Sequence, residues 1–127
     1  MKMNKNEISR DNYILYAVTD RRWLNGRKLS DDVESAIRGG AGMVQLREKD
    51  LDDEAFLEEA LKLKELCAVY KVPLIINDNV AVALKADADG VHVGQSDLDA
   101  ADVRGLIGPD KILGVSAHSL DEALLAV

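Results

Sequence analysis

Short apolar segments rich in β-branched residues alternate along the chain with longer segments in which apolar side chains recur every three or four positions. The short segments predict β-strands, and the longer ones predict amphipathic helices. Strands are predicted at residues 13–20, 43–49, 73–78, 90–95 and 112–118, and helices at residues 31–38, 53–70, 79–86, 99–106 and 119–127. Strands joined through helices by short loops form parallel sheets with right-handed crossovers, so the pattern predicts an α/β fold of about four and a half βα units.

Two architectures are compatible with parallel βα units: an open doubly wound sheet and a closed (β/α)₈ barrel. The first predicted turn, TDRRWLNG, lacks the GxGxxG fingerprint of a dinucleotide-binding sheet. Polar residues collected at the ends of the predicted strands favour the barrel. A barrel typically needs about 250 residues, whereas this chain has 127. We therefore predict a truncated member of the TIM-barrel class, with a polar leader at residues 1–12 and one partial barrel domain at residues 13–127.

Composition and charge argue against several functional classes. The formal net charge is -7 and no basic run is longer than Arg21-Arg22, so a nucleic-acid partner is not expected. The chain contains no run of about 18 apolar residues and no secretory signal, which argues against a membrane partner. The single cysteine, Cys67, is predicted to be a buried structural thiol, and an oxidising compartment has no support. A cytoplasmic location is therefore expected.

Gln45, Arg47 and Lys49 stand at alternate positions where the second predicted strand ends. Residues two apart in a strand share a face, so these three side chains are predicted to project together. Polar groups at such a place need a partner, and an anionic ligand such as a phosphate suits arginine and lysine. The alternative is that Arg47 and Lys49 pair with Glu48, Asp50 or other nearby acids at a solvated rim.

Carboxylates follow the next two predicted strands. Asn77 and Asp78 end the third strand, and Asp97 follows the fourth. Consecutive strands of a barrel are neighbours, so the two aspartates are expected close together, where they would repel each other unless a cation intervened. With Arg47 and Lys49 nearby to hold phosphate, Mg²⁺ is the natural cation, because it binds through one or two carboxylates plus substrate phosphates. The alternative for each aspartate is a cap on the following helix.

The fourth and fifth predicted strands carry histidine, glycine and serine. His92 is predicted to be a hydrogen-bonded wall residue rather than a catalyst. Gly94 and Gly114 are predicted to mark places where another group approaches the backbone of a strand end closely. Ser116 and His118 are expected to point toward the ligand end of the fifth strand. There Ser116 could donate a hydrogen bond to a phosphate oxygen; alternatively, Ser116 or Ser119 could cap the final helix.

The segments YAVTD, VQLREK, IINDN, ADGVHVGQSD and LGVSAHS follow one another in the order and at the spacings seen in the thiamine phosphate synthases. The chain closely resembles that family from Tyr13 to Val127. The resemblance implies a (β/α)₈ barrel that joins 4-amino-5-hydroxymethyl-2-methylpyrimidine diphosphate to a hydroxyethylthiazole phosphate. The products would be thiamine phosphate and pyrophosphate. We therefore expect a transferase of an alkyl or aryl group, with Mg²⁺ as cofactor and small molecules as substrates.

The resemblance also implies roles for individual residues. Substrate-binding residues would be Gln45, Leu46, Arg47, Glu48, Lys49, Asn77 and Ser116. Within this set, the catalytic residues that act on the departing diphosphate would be Arg47, Lys49 and Ser116. The Mg²⁺ ligands would be Asp78 and Asp97. No side-chain nucleophile is expected, because loss of pyrophosphate would leave a ring-stabilised cation that the thiazole nitrogen captures.

The length of the chain departs from the family, whose members continue through three more βα units that carry the thiazole phosphate site. A half barrel would expose two sheet edges and the inner faces of its strands, so we expect self-association or a chain that is part of a longer product. Two alternatives are kept open. One is a thiazole tautomerase of the same superfamily that uses His118 as an acid or base, and the other is a non-catalytic half barrel that binds a phosphorylated ligand or a partner chain.

Overall fold

Strands and helices alternate along the whole of the computed structural model, which describes residues 10–13, 15–94 and 99–126. The strands are β1 Tyr16–Val18, β2 Met43–Leu46, β3 Leu74–Asn77, β4 Gly90–Val93 and β5 Ile112–Val115. The helices are α1 Leu29–Arg38, α2 Asp53–Val69, α3 Val80–Lys85, α4 Ala100–Ile107 and α5 Leu120–Ala126. The predicted alternation is confirmed, although each strand is shorter than its apolar segment suggested.

The strands pair in chain order, β1-β2-β3-β4-β5, and every pair is parallel. A doubly wound sheet reverses its strand order at a switch point, whereas each strand of a barrel lies beside its successor. The register places Gln45 beside Val18 and Ile75, and places His92 beside Asn77 and Gly114. The sequential order therefore confirms the prediction of a parallel sheet of the (β/α)-barrel class, truncated relative to a complete barrel.

Helices α2, α3 and α4 begin at side-chain caps supplied by Asp52, Asn79 and Asp99. Each of these side chains accepts a hydrogen bond from an N–H group of the first turn, which has no partner within the helix. The alternative role of Asp78 as the cap of α3 is excluded, because Asn79 occupies that position. The Asp78 carboxylate can therefore interact with groups at the carboxyl ends of the strands.

The main apolar core lies between the sheet and its covering helices. The strands contribute Val44, Leu46, Leu74, Ile76, Val91 and Val93, and the helices contribute Val33, Phe56, Leu63 and Val103 among others. Cys67 packs in this core, which confirms its prediction as a buried thiol, and burial raises its pKa to about 12. Within the part of the chain that the structure describes, no helix combines the length and apolar character needed to cross a membrane.

Both edges of the sheet expose apolar side chains. Val18 on β1 is half exposed, and Leu120, Leu124 and Leu125 on α5 are largely exposed. The inner face of β2 and β3 differs from expectation, because Gln45 and Ile75 are buried. On this face Gln45 is hydrogen-bonded to Tyr16 on β1 and to Asn77 on β3. Exposure of the whole inner face was therefore a wrong prediction, while the two open edges agree with it.

Candidate active site at the carboxyl ends of the strands

Lys49 connects the carboxyl ends of β2 and β3. Its Nζ atom donates to Asn77 Oδ1 at 3.3 Å and to Asp78 Oδ2 at 3.1 Å. Asp78 has a φ of 64°, in the left-handed region that aspartate tolerates better than most residues. Its N–H group donates to the His92 carbonyl oxygen at 2.8 Å, which ties this turn to β4. At the carboxyl ends of the strands, an ammonium group thus lies within hydrogen-bond distance of an amide oxygen and a carboxylate.

A chain of amide hydrogen bonds fixes the orientation of Asn77. Asn77 Nδ2 donates to Gln45 Oε1 at 2.9 Å, and Gln45 Nε2 donates to the Tyr16 hydroxyl at 3.0 Å. Gln45 is only 5% exposed, so it makes these contacts inside the sheet rather than at the rim. The chain turns the Asn77 oxygen toward Lys49. Tyr16 was not predicted as a site residue, although its place in the strand YAVTD was visible in the sequence.

Arg47 lies in the loop after β2 rather than in the strand, which ends at Leu46. The prediction that strand alternation aligns Gln45, Arg47 and Lys49 is therefore corrected for the two basic residues. The Arg47 N–H group donates to Thr19 Oγ1 at 3.0 Å. Among the residues with described side chains, none forms an ion pair with the Arg47 guanidinium.

A cleft of about 230 Å³ lies beside Arg47, between the loops that follow β1 and β2. Its lining includes Asp20, Arg22, Arg47 and Lys49. A hydrogen bond from the Arg22 guanidinium lowers the pKa of Asp20 to about 2, so this carboxylate is ionised at neutral pH. Arg22 is bound to Asp20 at 2.6 Å and Lys49 to Asp78 at 3.1 Å, which leaves Arg47 as the lining cation best placed to meet an anion in the cleft.

Glu48, between Arg47 and Lys49, and Leu46, before Arg47, have different surroundings from the two basic residues. The Glu48 carboxylate accepts hydrogen bonds from Arg21 Nε at 2.9 and 3.1 Å. Neither Arg47 nor Lys49 forms an ion pair with Glu48 or Asp50 among the described side chains, but Lys49 pairs with another nearby acid, Asp78, so the alternative of pairing at the rim holds for Lys49 and not for Arg47. Leu46 is fully buried in the core, so a contact from Leu46 to a substrate would have to come from its main chain.

Of the two predicted metal ligands, Asp78 lies within the described residues. Asp97 lies outside the described residues, so its placement beside Asp78 stays a prediction. Within residues 10–13, 15–94 and 99–126, no group of three or more histidine, cysteine, aspartate or glutamate side chains is arranged so that it could hold a metal ion. Asp78 and Asn77 nevertheless place a carboxylate and an amide oxygen side by side, and hard oxygen donors of this kind suit Mg²⁺.

His92 and Ser116 form a second polar pair on β4 and at the end of β5. His92 Nε2 and Ser116 Oγ are 2.8 Å apart. Burial lowers the pKa of His92, and the charge of Asp78 opposes that shift. These contacts agree with His92 as a hydrogen-bonded wall residue. His118 is exposed, and its main-chain N–H group donates to Glu122 at the start of α5, so the structure shows no acid or base role for it.

Gly114 makes room for the His92 ring, because a Cβ atom at this position would collide with His92 Nδ1. We expect Gly114→Ala to lower the free energy of unfolding by about 1–3 kcal/mol, the usual cost of overpacking. Gly105→Ala is the matched control, because a Cβ atom there, on α4, meets nothing within 4 Å. Urea denaturation of both variants measures the difference. Equal stabilities of the two variants would contradict close packing of His92 on Gly114.

The lowered pKa of His92 predicts a pH dependence of stability. Below the ordinary histidine value of 6.5, the unfolded chain binds a proton that the folded chain resists, so stability falls as the pH drops through this range. We expect His92→Gln to reduce this fall. Urea denaturation of the original chain and of His92→Gln between pH 8 and pH 5 measures the difference. Parallel pH profiles for the original chain and His92→Gln would contradict the assignment.

These features define a (β/α)-barrel protein with a candidate phosphate-binding site at the carboxyl ends of its strands, the usual place for such sites in this fold. Comparison with known proteins identifies the family more closely. The family described as thiamine monophosphate synthase matches residues 15–127, and the chain belongs to that family.

Named relatives agree with this assignment. The chain is 55% identical over 114 residues to a thiamine-phosphate synthase of Clostridium acetobutylicum, covering 90% of this chain and 54% of the relative. It is 52% identical over 119 residues to a thiamine-phosphate synthase of Caldanaerobacter subterraneus subsp. tengcongensis, covering 94% of this chain and 56% of the relative. The chain thus spans about half the length of the curated relatives it matches.

A solved structure supports the fold. A thiamine phosphate pyrophosphorylase from Pyrococcus furiosus superposes with a TM-score of 0.83 at 37% identity, covering 92% of this chain and 56% of the other. The relatives named here are synthases, so the tautomerase alternative is not favoured. The predicted family and its barrel-type fold are confirmed.

Proposed function

We propose that this chain provides the pyrimidine diphosphate side of a thiamine phosphate synthase. The reaction couples 4-amino-5-hydroxymethyl-2-methylpyrimidine diphosphate with hydroxyethylthiazole phosphate and yields thiamine phosphate and pyrophosphate. The observation that carries the proposal is the position of Lys49, which brings the end of β2 to Asn77 and Asp78 at the end of β3. Family membership and the names of the relatives support the choice of substrates.

Arg47 and Lys49 are proposed to hold the diphosphate. Arginine binds phosphate oxygens through two parallel N–H groups, and lysine adds a point charge. Lys49 would exchange the Asp78 carboxylate for a phosphate oxygen when the ligand binds, because the ammonium group lies at the same edge of the sheet. Ser116 is proposed as a further hydrogen-bond donor to the diphosphate. Asn77, oriented through Gln45, is proposed to meet the substrate with its amide oxygen.

Asp78 is proposed as the described ligand of Mg²⁺, with Asp97 as the second. Mg²⁺ binds proteins through one or two carboxylates together with substrate phosphates, so a small number of protein ligands suffices. The cation would supply neutralisation of charge on the diphosphate as it departs. The Asp78 side chain is 37% exposed and its partner Lys49 is 50% exposed, so the carboxylate is open to such a ligand.

The proposed chemistry requires positioning rather than a nucleophile from the protein. The bond from the pyrimidine methylene carbon to the diphosphate oxygen breaks, and the electron pair leaves with pyrophosphate. The thiazole nitrogen then forms the new bond to the methylene carbon. Arg47, Lys49 and Ser116 would stabilise the negative charge that grows on the leaving group. Stabilisation of this kind by preorganised donors is usually the largest single contribution to catalysis.

Location and assembly complete the proposal. A buried free cysteine is consistent with a reducing compartment, so we place the protein in the cytoplasm. The apolar side chains at the β1 and α5 edges are proposed to be covered by further polypeptide, either a second copy or the additional length that the relatives have. Light scattering that shows a stable monomer would count against the second copy.

The test of the proposed activity is pyrophosphate release from the two substrates, measured on this chain with Mg²⁺ and with EDTA. Release that requires both substrates and Mg²⁺ is the expected result. Release that persists without the thiazole phosphate would indicate a hydrolase instead. No release from folded protein would refute turnover by this chain and would favour the non-catalytic half barrel, which calorimetric titration with the pyrimidine diphosphate detects.

A further inference from the structure

Glu48 stands between two residues proposed to bind phosphate, yet its carboxylate is held by a different partner. Arg21, in the 3₁₀ turn after β1, places Nε 2.9 Å and 3.1 Å from the two carboxylate oxygens. The Glu48 side chain is only 2% exposed, whereas the Arg21 side chain is 43% exposed. A second acid, Glu59 on α2, lies 3.7 Å from Arg21. Arg21 therefore joins the loops after β1 and β2 to the helix outside them.

This ion pair explains an arrangement that the sheet does not impose. The ladder of β2 ends at Leu46, so backbone pairing does not fix the directions of the side chains that follow. Glu48 is anchored toward Arg21 and α2, while Lys49 reaches across to Asn77 and Asp78. Because Glu48 lies between Arg47 and Lys49 in the chain, its anchored side chain restricts the backbone from which both neighbouring side chains extend.

We propose that Arg21 is a positioning residue that aims Arg47 and Lys49 at the strand ends by holding the buried Glu48 carboxylate on the other side of the loop. The consequence for binding rests on the proposed function, since it assumes that these two residues hold the diphosphate. The ion pair itself does not depend on that function. Loss of Arg21 would leave a buried carboxylate without its charged partner, which is strongly unfavourable. The loop would then rearrange to bring Glu48 to water.

Amide hydrogen exchange tests the positioning without any ligand. The Arg47 N–H group is bonded to Thr19 Oγ1 and reports on the loop. We expect Arg21→Ala to speed exchange at Arg47 about tenfold or more, because a local opening replaces a fixed loop. Arg38→Ala is the matched control. It removes the same charge from an exposed arginine at the end of α1, where Arg38 contacts Tyr70 and Glu34 rather than this loop.

Titration with inorganic pyrophosphate in the presence of Mg²⁺ tests the consequence for binding. Arg21→Ala should weaken pyrophosphate binding about tenfold, while Arg38→Ala should leave it unchanged. Arg21→Lys should restore most of the affinity, because a lysine side chain is long enough to place its ammonium group beside Glu48. If Arg21 had a purely structural role, Arg21→Ala and Arg21→Lys would both lower the stability, and Arg21→Lys would not recover the affinity for pyrophosphate.

The outcomes separate this inference from the proposed function. Failure of the original chain to bind pyrophosphate would overturn the proposed function, and the exchange measurement would still decide the positioning. Unchanged exchange at Arg47 in folded Arg21→Ala would overturn the positioning. If Arg21→Ala does not fold, Glu48→Gln makes the same test without a buried unpaired charge. Faster exchange at Arg47 in that variant supports the inference, and unchanged exchange overturns it.

Discussion

Replacement of Arg47 by alanine should weaken binding of the pyrimidine diphosphate by about 10²-fold. A hydrogen bond to a charged group contributes about 1.5–3 kcal/mol, and Arg47 is placed to offer two of them to phosphate oxygens. Each 1.4 kcal/mol corresponds to about tenfold in affinity. Arg47 has no ion pair with the described side chains that would have to be broken first. Isothermal titration calorimetry with the diphosphate and Mg²⁺ measures the loss.

Arg38→Ala controls for the change in net charge in this experiment. Both variants lose one positive charge, but Arg38 lies at the end of α1 and contacts Glu34 and Tyr70. An equal loss of affinity in the two variants would show that binding depends on overall charge alone. Unchanged affinity in Arg47→Ala would remove Arg47 from the proposed site.

Replacement of Asp78 by asparagine should strongly reduce the dependence of diphosphate binding on Mg²⁺. Asparagine tolerates the left-handed backbone of this position as well as aspartate does, so the turn after β3 should persist. The variant loses the charge that would attract the cation, and its affinity with Mg²⁺ should fall by about 10²-fold, the scale of losing one preorganised electrostatic partner. Calorimetric titration with Mg²⁺ and with EDTA measures both effects.

Asp87→Asn is a closely matched control for this variant. Asp87 also has a left-handed backbone, with a φ of 51°, and also pairs with a lysine, Lys111, at 2.7 Å. It follows α3 and precedes β4, so it lies at the amino end of the sheet. Retention of the Mg²⁺ effect in Asp78→Asn, or its loss in Asp87→Asn, would contradict the role assigned to Asp78.

Most of the fold could be predicted from the sequence, because the apolar pattern of each strand and helix is strong. Segments such as PLIIND and the helix around Phe56 have periods that allow one interpretation. The order of the strands could not be predicted from pattern alone, since open and closed sheets use the same βα units. The structure decided that question, because each of the five strands pairs with the next one in chain order. Some strands were predicted to continue too far along the chain, because polar residues after the strand extended the alternating pattern, as at β2, which ends at Leu46.

The sequence predicted which residues lie at the candidate site better than it predicted their contacts. Lys49, Asn77 and Asp78 were selected from their positions at strand ends, and the structure brings them together. The ion pair of Arg21 with Glu48 joins residues 27 apart, and no local pattern reveals such a pair. Tyr16 was missed for the same reason, because its hydroxyl meets Gln45 only through the register of two strands.

The measurement that tests the account most directly is calorimetric titration of 4-amino-5-hydroxymethyl-2-methylpyrimidine diphosphate into this chain, with Mg²⁺ and with EDTA. A magnesium-dependent diphosphate site predicts saturable binding with Mg²⁺ that is strongly weakened by EDTA. Absence of binding by folded protein, or equal binding under both conditions, would contradict a magnesium-dependent diphosphate site at the ends of β2 and β3.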